Sequence, residues 1–87
     1  MSRKLLFIVN PRSGKKKSGQ IIDLINKTLS DSFNYQIALW TNIDEFKVIA
    51  TKLTNENFTD AIAVGGDGSV NLVAKTILNT EITLGIV

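Results

Sequence analysis

Apolar residues along the chain fall into two patterns, short continuous runs and longer stretches with helical spacing. The short runs, bounded by turn-forming residues, predict strands; the first suits a strand covered on both faces, whereas the second has its apolar residues on one face. Apolar residues that recur at intervals of three and four predict amphipathic helices. The predicted strands are residues 4–10, 35–40, 60–64 and 82–87, and the predicted helices are residues 18–29, 43–55 and 69–79.

The starts of two predicted helices have residues that are typical of helix caps. Ser18 suits the N-cap position of the first helix, because its hydroxyl can accept from a free backbone N–H. Asn42 followed by Glu45 resembles a capping box before the second helix. These residues place the loop–helix boundaries where the apolar spacing also places them.

The order of these elements is β-α-β-α-β-α-β, which predicts an α/β fold. Alternation with short loops is typical of a parallel sheet with right-handed crossovers, here a three-layer α/β/α Rossmann-like unit. The last predicted strand ends at Val87, the final residue, with no loop after it. We therefore expect residues 1–87 to be one incomplete domain, truncated within its fold.

Cysteine and histidine are both absent from the 87 residues. Their absence excludes disulfides, a thiolate nucleophile, a Ser-His-Asp triad and sites that need cysteine or histidine ligands. The chemistry left to the chain uses carboxylates, amines, hydroxyls, backbone amides or a hard cation such as Mg²⁺.

Positive charge is concentrated at the start of the chain. Residues 1–17 contain six basic and no acidic residues, whereas residues 18–87 contain four basic and eight acidic residues, a net −4. The run Lys15–Lys17 suits either a solvated loop or a loop that faces phosphate or an acidic membrane surface. No basic stripe or motif indicates nucleic acid, and no apolar run is long enough to span a membrane.

Ligands of open parallel sheets bind at the carboxyl ends of the strands, where the loops of this chain have unusual residues. The sequence GGDGS (residues 65–69) joins the third strand to a helix. Glycines let backbone N–H groups approach a ligand closely, and a helix N-terminus favours phosphate. The Asp67 carboxylate would repel a phosphate unless it binds Mg²⁺ or takes part in proton transfer. Ser69 can cap the helix or bind phosphate. A tight turn with an aspartate cap is the structural alternative.

The sequence NPRSG (residues 10–14) follows the first strand. Pro11 holds the chain extended, Ser13 and Gly14 offer a hydroxyl and an unhindered amide, and Asn10 can bond to a neighbouring loop. A simple turn is the alternative. After the second strand, Thr41 suits a helix cap as well as a ligand contact, and Trp40 is more typical of a packed aromatic than of an adenine platform.

Two common phosphate-binding motifs fit only in part. The glycine pattern after residue 65 has Asn71 where the dinucleotide fingerprint has its third glycine. The stretch from Gly14 has Gln20 and Ile21 where a Walker A motif needs lysine and serine or threonine. Neither motif is therefore assigned.

Taken together, NPRSG after the first strand and GGDGS after the third resemble the diacylglycerol kinase catalytic-domain family. This family includes bacterial lipid kinases and is similar to sphingosine and ceramide kinases. The resemblance covers the whole chain. It implies that residues 1–87 are the N-terminal nucleotide-binding part of a two-domain kinase whose later β-rich domain is absent. Such an enzyme transfers the γ-phosphoryl group of ATP to a lipid hydroxyl, with Mg²⁺.

The resemblance also implies roles for individual residues. Asp67 would organise Mg²⁺ or the transferring group, as the catalytic and metal-binding residue. The residues implied in nucleotide binding are Asn10, Pro11, Arg12, Ser13, Gly14, Thr41, Gly65, Gly66, Gly68, Ser69 and Asn71. The implied partner is a lipid at a membrane surface, met by a cytoplasmic protein in peripheral contact with the membrane.

The sequence departs from the family pattern at two positions, and two alternative functions remain open. Ser69 replaces the commoner threonine and keeps the hydroxyl, whereas Leu72 replaces an acid. GGDG also occurs in NAD kinases, so an NAD kinase-like enzyme is one alternative, and a degenerate, non-catalytic nucleotide-binding module is the other. We expect the 87 residues alone to be inactive and to associate into homo-oligomers through the apolar surface of the fourth strand.

Overall fold

Strands and helices alternate along the described residues, 3–11, 18–29 and 33–87, of the computed structural model. The strands are β1 (Lys4–Val9), β2 (Asn34–Leu39), β3 (Asp60–Val64) and β4 (Thr83–Ile86). The helices are α1 (Ser18–Leu29), α2 (Ile43–Asn55) and α3 (Asp67–Ile77). This order confirms the predicted α/β class.

The strands form one parallel sheet in the order β2-β1-β3-β4. β1 therefore lies inside the sheet, although it comes first in the sequence. Its Val9 pairs with Leu39 of β2 on one side and with Val64 of β3 on the other. The carboxyl ends of these three strands consequently lie side by side.

Two hydrophobic cores lie on opposite faces of the sheet, because successive side chains of a strand point to opposite faces. Leu6 and Ile8 of β1 pack in the core that α2 and α3 cover. Phe7 and Val9 pack in the smaller core that α1 covers. The three layers α/β/α predicted from the sequence are thereby confirmed.

The element bounds differ from the sequence prediction mainly at α3. α1, α2 and β3 begin and end at the predicted residues, and β1, β2 and β4 differ by one residue at their ends. α3 begins at Asp67 rather than Ser69, since Gly66 is its N-cap and extended there, with φ −84° and ψ −173°. Asp67 and Gly68 thus belong to the first helical turn and not to the loop.

Two asparagines end the helices on the larger core. Asn57 and Asn79 follow the C-caps of α2 and α3 with φ angles of 59° and 66°. Asparagine tolerates this left-handed conformation better than most residues and therefore terminates a helix well. After α3, Thr80 donates from its N–H and its hydroxyl to the Ile77 carbonyl, at 3.0 and 2.6 Å.

No helix in the described part of the chain has the length and apolar character that a membrane crossing requires.

Candidate functional site

The carboxyl ends of β1 and β3 meet at the point where the chain changes direction across the sheet. α1 follows β1 on one face, whereas α3 follows β3 on the opposite face. The two following segments therefore diverge and leave a crevice, which is where open α/β sheets bind ligands. The N–H of Asn10 donates to the Val64 carbonyl at 3.3 Å, so the starts of NPRSG and GGDGS are direct neighbours.

Part of the first motif lies outside the described residues. Asn10 and Pro11 are both half-buried at the end of β1. Arg12, Ser13 and Gly14, predicted to bind nucleotide, lie outside the described residues, as does the basic run Lys15–Lys17. The structure therefore places the beginning of this motif beside β3.

The N-terminus of α3 is open at the same edge. Gly65 has φ 151°, a conformation that side chains disfavour, and turns the chain from β3 into the helix. Gly66 forms no side-chain cap. A carbon added at Gly66 or Gly68 would meet no other atom within 4 Å. This helix end can therefore present backbone N–H groups and partial positive charge to an anion.

Asp67, the first residue of α3, is exposed. No ion pair within the described residues involves its carboxylate. The described residues also hold no group of three or more acidic side chains that could bind a metal ion. Because Mg²⁺ commonly takes one or two carboxylates and completes its shell with phosphate oxygens and water, a single aspartate beside a phosphate site fits this cation.

The predicted residues of α3 do not all face the same way. Ser69 is 5% exposed and lies in the first turn, so it is not the helix cap. Asn71 is exposed and follows Asp67 by four residues, which places the two on one helix face. Ser69 and Asn71 are two residues apart and lie on nearly opposite sides of the helix. Leu72 is half-buried and packs against the larger core.

Thr41 lies at the end of β2, where it bonds to α2. The N–H of the preceding Trp40 donates to the Val9 carbonyl at 3.0 Å, which ties this loop to β1. The backbone N–H and the hydroxyl of Thr41 both donate to Glu45 Oε1, each at 2.7 Å. The N–H of Glu45 in turn donates to Asn42 Oδ1 at 2.9 Å.

These contacts extend the predicted capping box by one residue and lower the pKa of Glu45. Asn42 accepts as predicted, and the Glu45 carboxylate accepts from both the N–H and the hydroxyl of Thr41, one residue before the N-cap. The Thr41 hydroxyl, and then the Thr41 N–H, lower the pKa of Glu45. Glu45 was not among the residues predicted for the site, although it is the partner of Thr41. The capping pattern was the available signal.

Trp40 is a packed aromatic at this edge. Its indole is 8% exposed and meets the Phe46 ring edge-on, with centroids 5.0 Å apart. Its Nε1 is buried and finds no hydrogen-bond partner within the described residues. The side chain thus belongs to the core beneath α2.

Comparisons with known proteins agree with this arrangement. Residues 4–87 match the diacylglycerol kinase catalytic domain. An uncharacterized protein of Synechocystis sp. is 33% identical over 92 aligned residues, which include 93% of this chain. The chain spans about a fifth of that relative's length, 21%.

Proposed function

Because the chain belongs to the diacylglycerol kinase catalytic-domain family, we propose that it forms the ATP-binding part of a lipid kinase. The enzyme transfers the γ-phosphoryl group of ATP to a hydroxyl of diacylglycerol or a related lipid. The observation that carries this proposal is the contact between the ends of β1 and β3, where Asn10 donates to Val64 beside the open N-terminus of α3.

The open helix end suits the phosphates of the nucleotide. Gly65, Gly66 and Gly68 let the backbone approach phosphate oxygens without obstruction, and the first-turn N–H groups of α3 donate to them. Ser69 adds a hydroxyl. Phosphoryl transfer needs positioning and electrostatic stabilisation above all, which backbone amides supply without histidine or cysteine.

Residues around this helix end complete the proposed site. Asn10 and Pro11 contact the nucleotide from the end of β1, and the family motif assigns nucleotide binding to Arg12, Ser13 and Gly14 as well. Thr41 contacts the nucleotide from the end of β2, and Asn71 supports the phosphate contacts from the next turn of α3.

Asp67 is the proposed ligand of Mg²⁺. When bound, Mg²⁺ neutralises charge that develops on the phosphate oxygens. The exposed Asp67 carboxylate, in the first turn of α3, would hold the cation. The lipid acceptor is presented at a membrane surface, which the protein contacts from the cytoplasm.

The test is Asp67→Asn in the full-length protein. We expect lipid phosphorylation to fall at least about a hundredfold, while the fold survives because Asp67 is exposed. The assay follows transfer from radiolabelled ATP to diacylglycerol in mixed micelles, with circular dichroism as the check of folding.

Asp44→Asn is the matched control, because Asp44 is also an exposed acid in the first turn of a helix, α2. It should leave phosphorylation unchanged. Retained activity of Asp67→Asn, or an equal loss in both variants, would contradict the proposed role of Asp67.

A second candidate function is that of a non-catalytic nucleotide-binding module. It is favoured by Leu72, an apolar residue packed against the core where the family usually has an acid. Nucleotide binding by calorimetry, with and without Mg²⁺, but no phosphorylation of diacylglycerol, sphingosine or NAD, would support this candidate. Phosphorylation of NAD alone would instead indicate the NAD kinase-like alternative.

A further inference from the structure

The hydroxyl of Thr41 has a fixed hydrogen-bonding direction. A threonine hydroxyl has one proton to donate and two lone pairs that accept. Its proton, like the backbone N–H of the same residue, is directed to Glu45 Oε1 at 2.7 Å. Thr41 itself is exposed. Toward a ligand, Thr41 can therefore offer only acceptor lone pairs.

An acceptor beside a carboxylate is a poor contact for phosphate. Phosphate oxygens are also acceptors, and they would meet the negative charge of Glu45 one hydrogen bond away from Thr41. An amino or hydroxyl group of a ligand has the proton that Thr41 lacks. The end of β2 thus suits the neutral, donor-bearing part of a nucleotide.

The N-termini of α2 and α3, both at this edge, also differ in how well they can bind phosphate. The start of α2 is filled by its own groups, since Asn42 accepts from the Glu45 N–H and Glu45 accepts from Thr41. The start of α3 has no side-chain cap at Gly66. Phosphates are favoured at α3 and disfavoured at α2, which gives a bound nucleotide one orientation along the edge.

We propose that Glu45 is a positioning residue that holds Thr41 as an acceptor, and that Thr41 takes a hydrogen bond from an amino or hydroxyl group of the nucleoside. This inference rests on the proposed function, because it requires that the site binds a nucleotide. It adds the orientation of the ligand, with the nucleoside over β2 and the phosphates over β1 and β3.

The test compares nucleotides that differ by one donor. Inosine triphosphate lacks the amino group of the base, and the 2′-deoxy and 3′-deoxy forms of ATP each lack one sugar hydroxyl. We expect the full-length protein to bind ATP roughly three- to tenfold more tightly than the one analogue that lacks the donor to Thr41. The analogue that binds weakly identifies the donor.

Variants of Thr41 connect this preference to its hydroxyl. In Thr41→Val the preference for ATP over that analogue should disappear, and in Thr41→Ser it should return. Glu45→Ala should reduce the preference, whereas Glu45→Gln should keep it, because the amide oxygen still accepts from Thr41. A ratio between two ligands does not change when a variant merely lowers the folded fraction.

Binding of inorganic tripolyphosphate, which has no nucleoside, tests the phosphate end of the site by itself. Its affinity should be the same in the parent protein, Thr41→Val and Glu45→Ala. Weaker binding of tripolyphosphate to Thr41→Val, or an unchanged preference in Thr41→Val or Glu45→Ala, would overturn the inference. If the parent protein binds none of the nucleotides, the proposed function itself fails.

Discussion

At the scale of single residues, Gly65 has the most demanding backbone conformation of the site. Its φ of 151° lies where side chains are strained, whereas Gly68, three residues later, is an ordinary helical residue with open space around it. The two glycines of one motif thus serve different needs. Gly65 turns the chain into α3, and Gly68 leaves room above the helix.

Gly65→Ala and Gly68→Ala should therefore have different effects on stability. We expect Gly65→Ala to lower the free energy of unfolding by about 1–3 kcal/mol because of backbone strain. Gly68→Ala should leave it unchanged or raise it by up to about 1 kcal/mol, since alanine favours a helix. Urea unfolding measures both. Equal destabilisation of the two variants would contradict the different roles.

At the scale of elements, an ion pair joins β3 to the residue before β1 at the edge opposite to the candidate site. The Arg3 guanidinium donates to the buried Asp60 carboxylate, which also accepts from the Thr59 hydroxyl at 2.6 Å. The hydrogen bond with Arg3 is the main reason why the pKa of Asp60 is lowered. A pKa that is lower in the folded state stabilises the fold above the unfolded pKa and loses this effect as pH falls.

The stability cost of Asp60→Asn should depend on pH. At pH 7 we expect the variant to lose about 1–3 kcal/mol, because hydrogen bonds to a charged carboxylate are replaced. The loss should shrink as pH falls below about 4, because the carboxylate is protonated first in the unfolded chain and, at lower pH, also in the folded protein. Urea unfolding at pH 7 and pH 3 measures it. Asp23→Asn, on the exposed side of α1, is the control with little expected effect; an equal loss for Asp60→Asn at both pH values would contradict the mechanism.

Local patterns in the sequence were sufficient for most elements but not for contacts between them. Helical spacing and Asn42 located α2 at its observed bounds. The start of α3 was misplaced because glycines indicate loops, although Gly66 is an N-cap and Gly68 is helical. The Arg3–Asp60 pair joins residues 57 positions apart, so it follows from the β1–β3 register and from no local pattern.

At the scale of the whole molecule, β1 stabilises both cores at once. Its Leu6, Ile8 and Val9 have no exposed surface. Some large apolar side chains are exposed on the outer surface. Leu24 of α1 is 63% exposed beside an apolar groove of about 270 Å³ that Val87 also lines.

The same leucine-to-alanine substitution should have very different effects on the free energy of unfolding in the core and at this surface. Leu6→Ala should cost about 2–5 kcal/mol of unfolding free energy, because it leaves a cavity between β1 and the helices. Leu24→Ala should change stability by no more than about 0.5 kcal/mol. Thermal and urea unfolding measure both. A small effect of Leu6→Ala would be incompatible with the central position of β1.

The central position of β1 also determines when the candidate site can exist during folding. β1, α1 and β2 are neighbours in the sequence and can pair locally, yet the other edge of β1 stays open until β3 arrives. Contacts at such sequence separation form late, because the intervening chain must first close a long loop. Asn10 and Val64 come together only at that step. The candidate site is therefore assembled by the pairing with the longest sequence separation in the sheet, and a ligand that binds only there would stabilise the completed fold over every partly folded form.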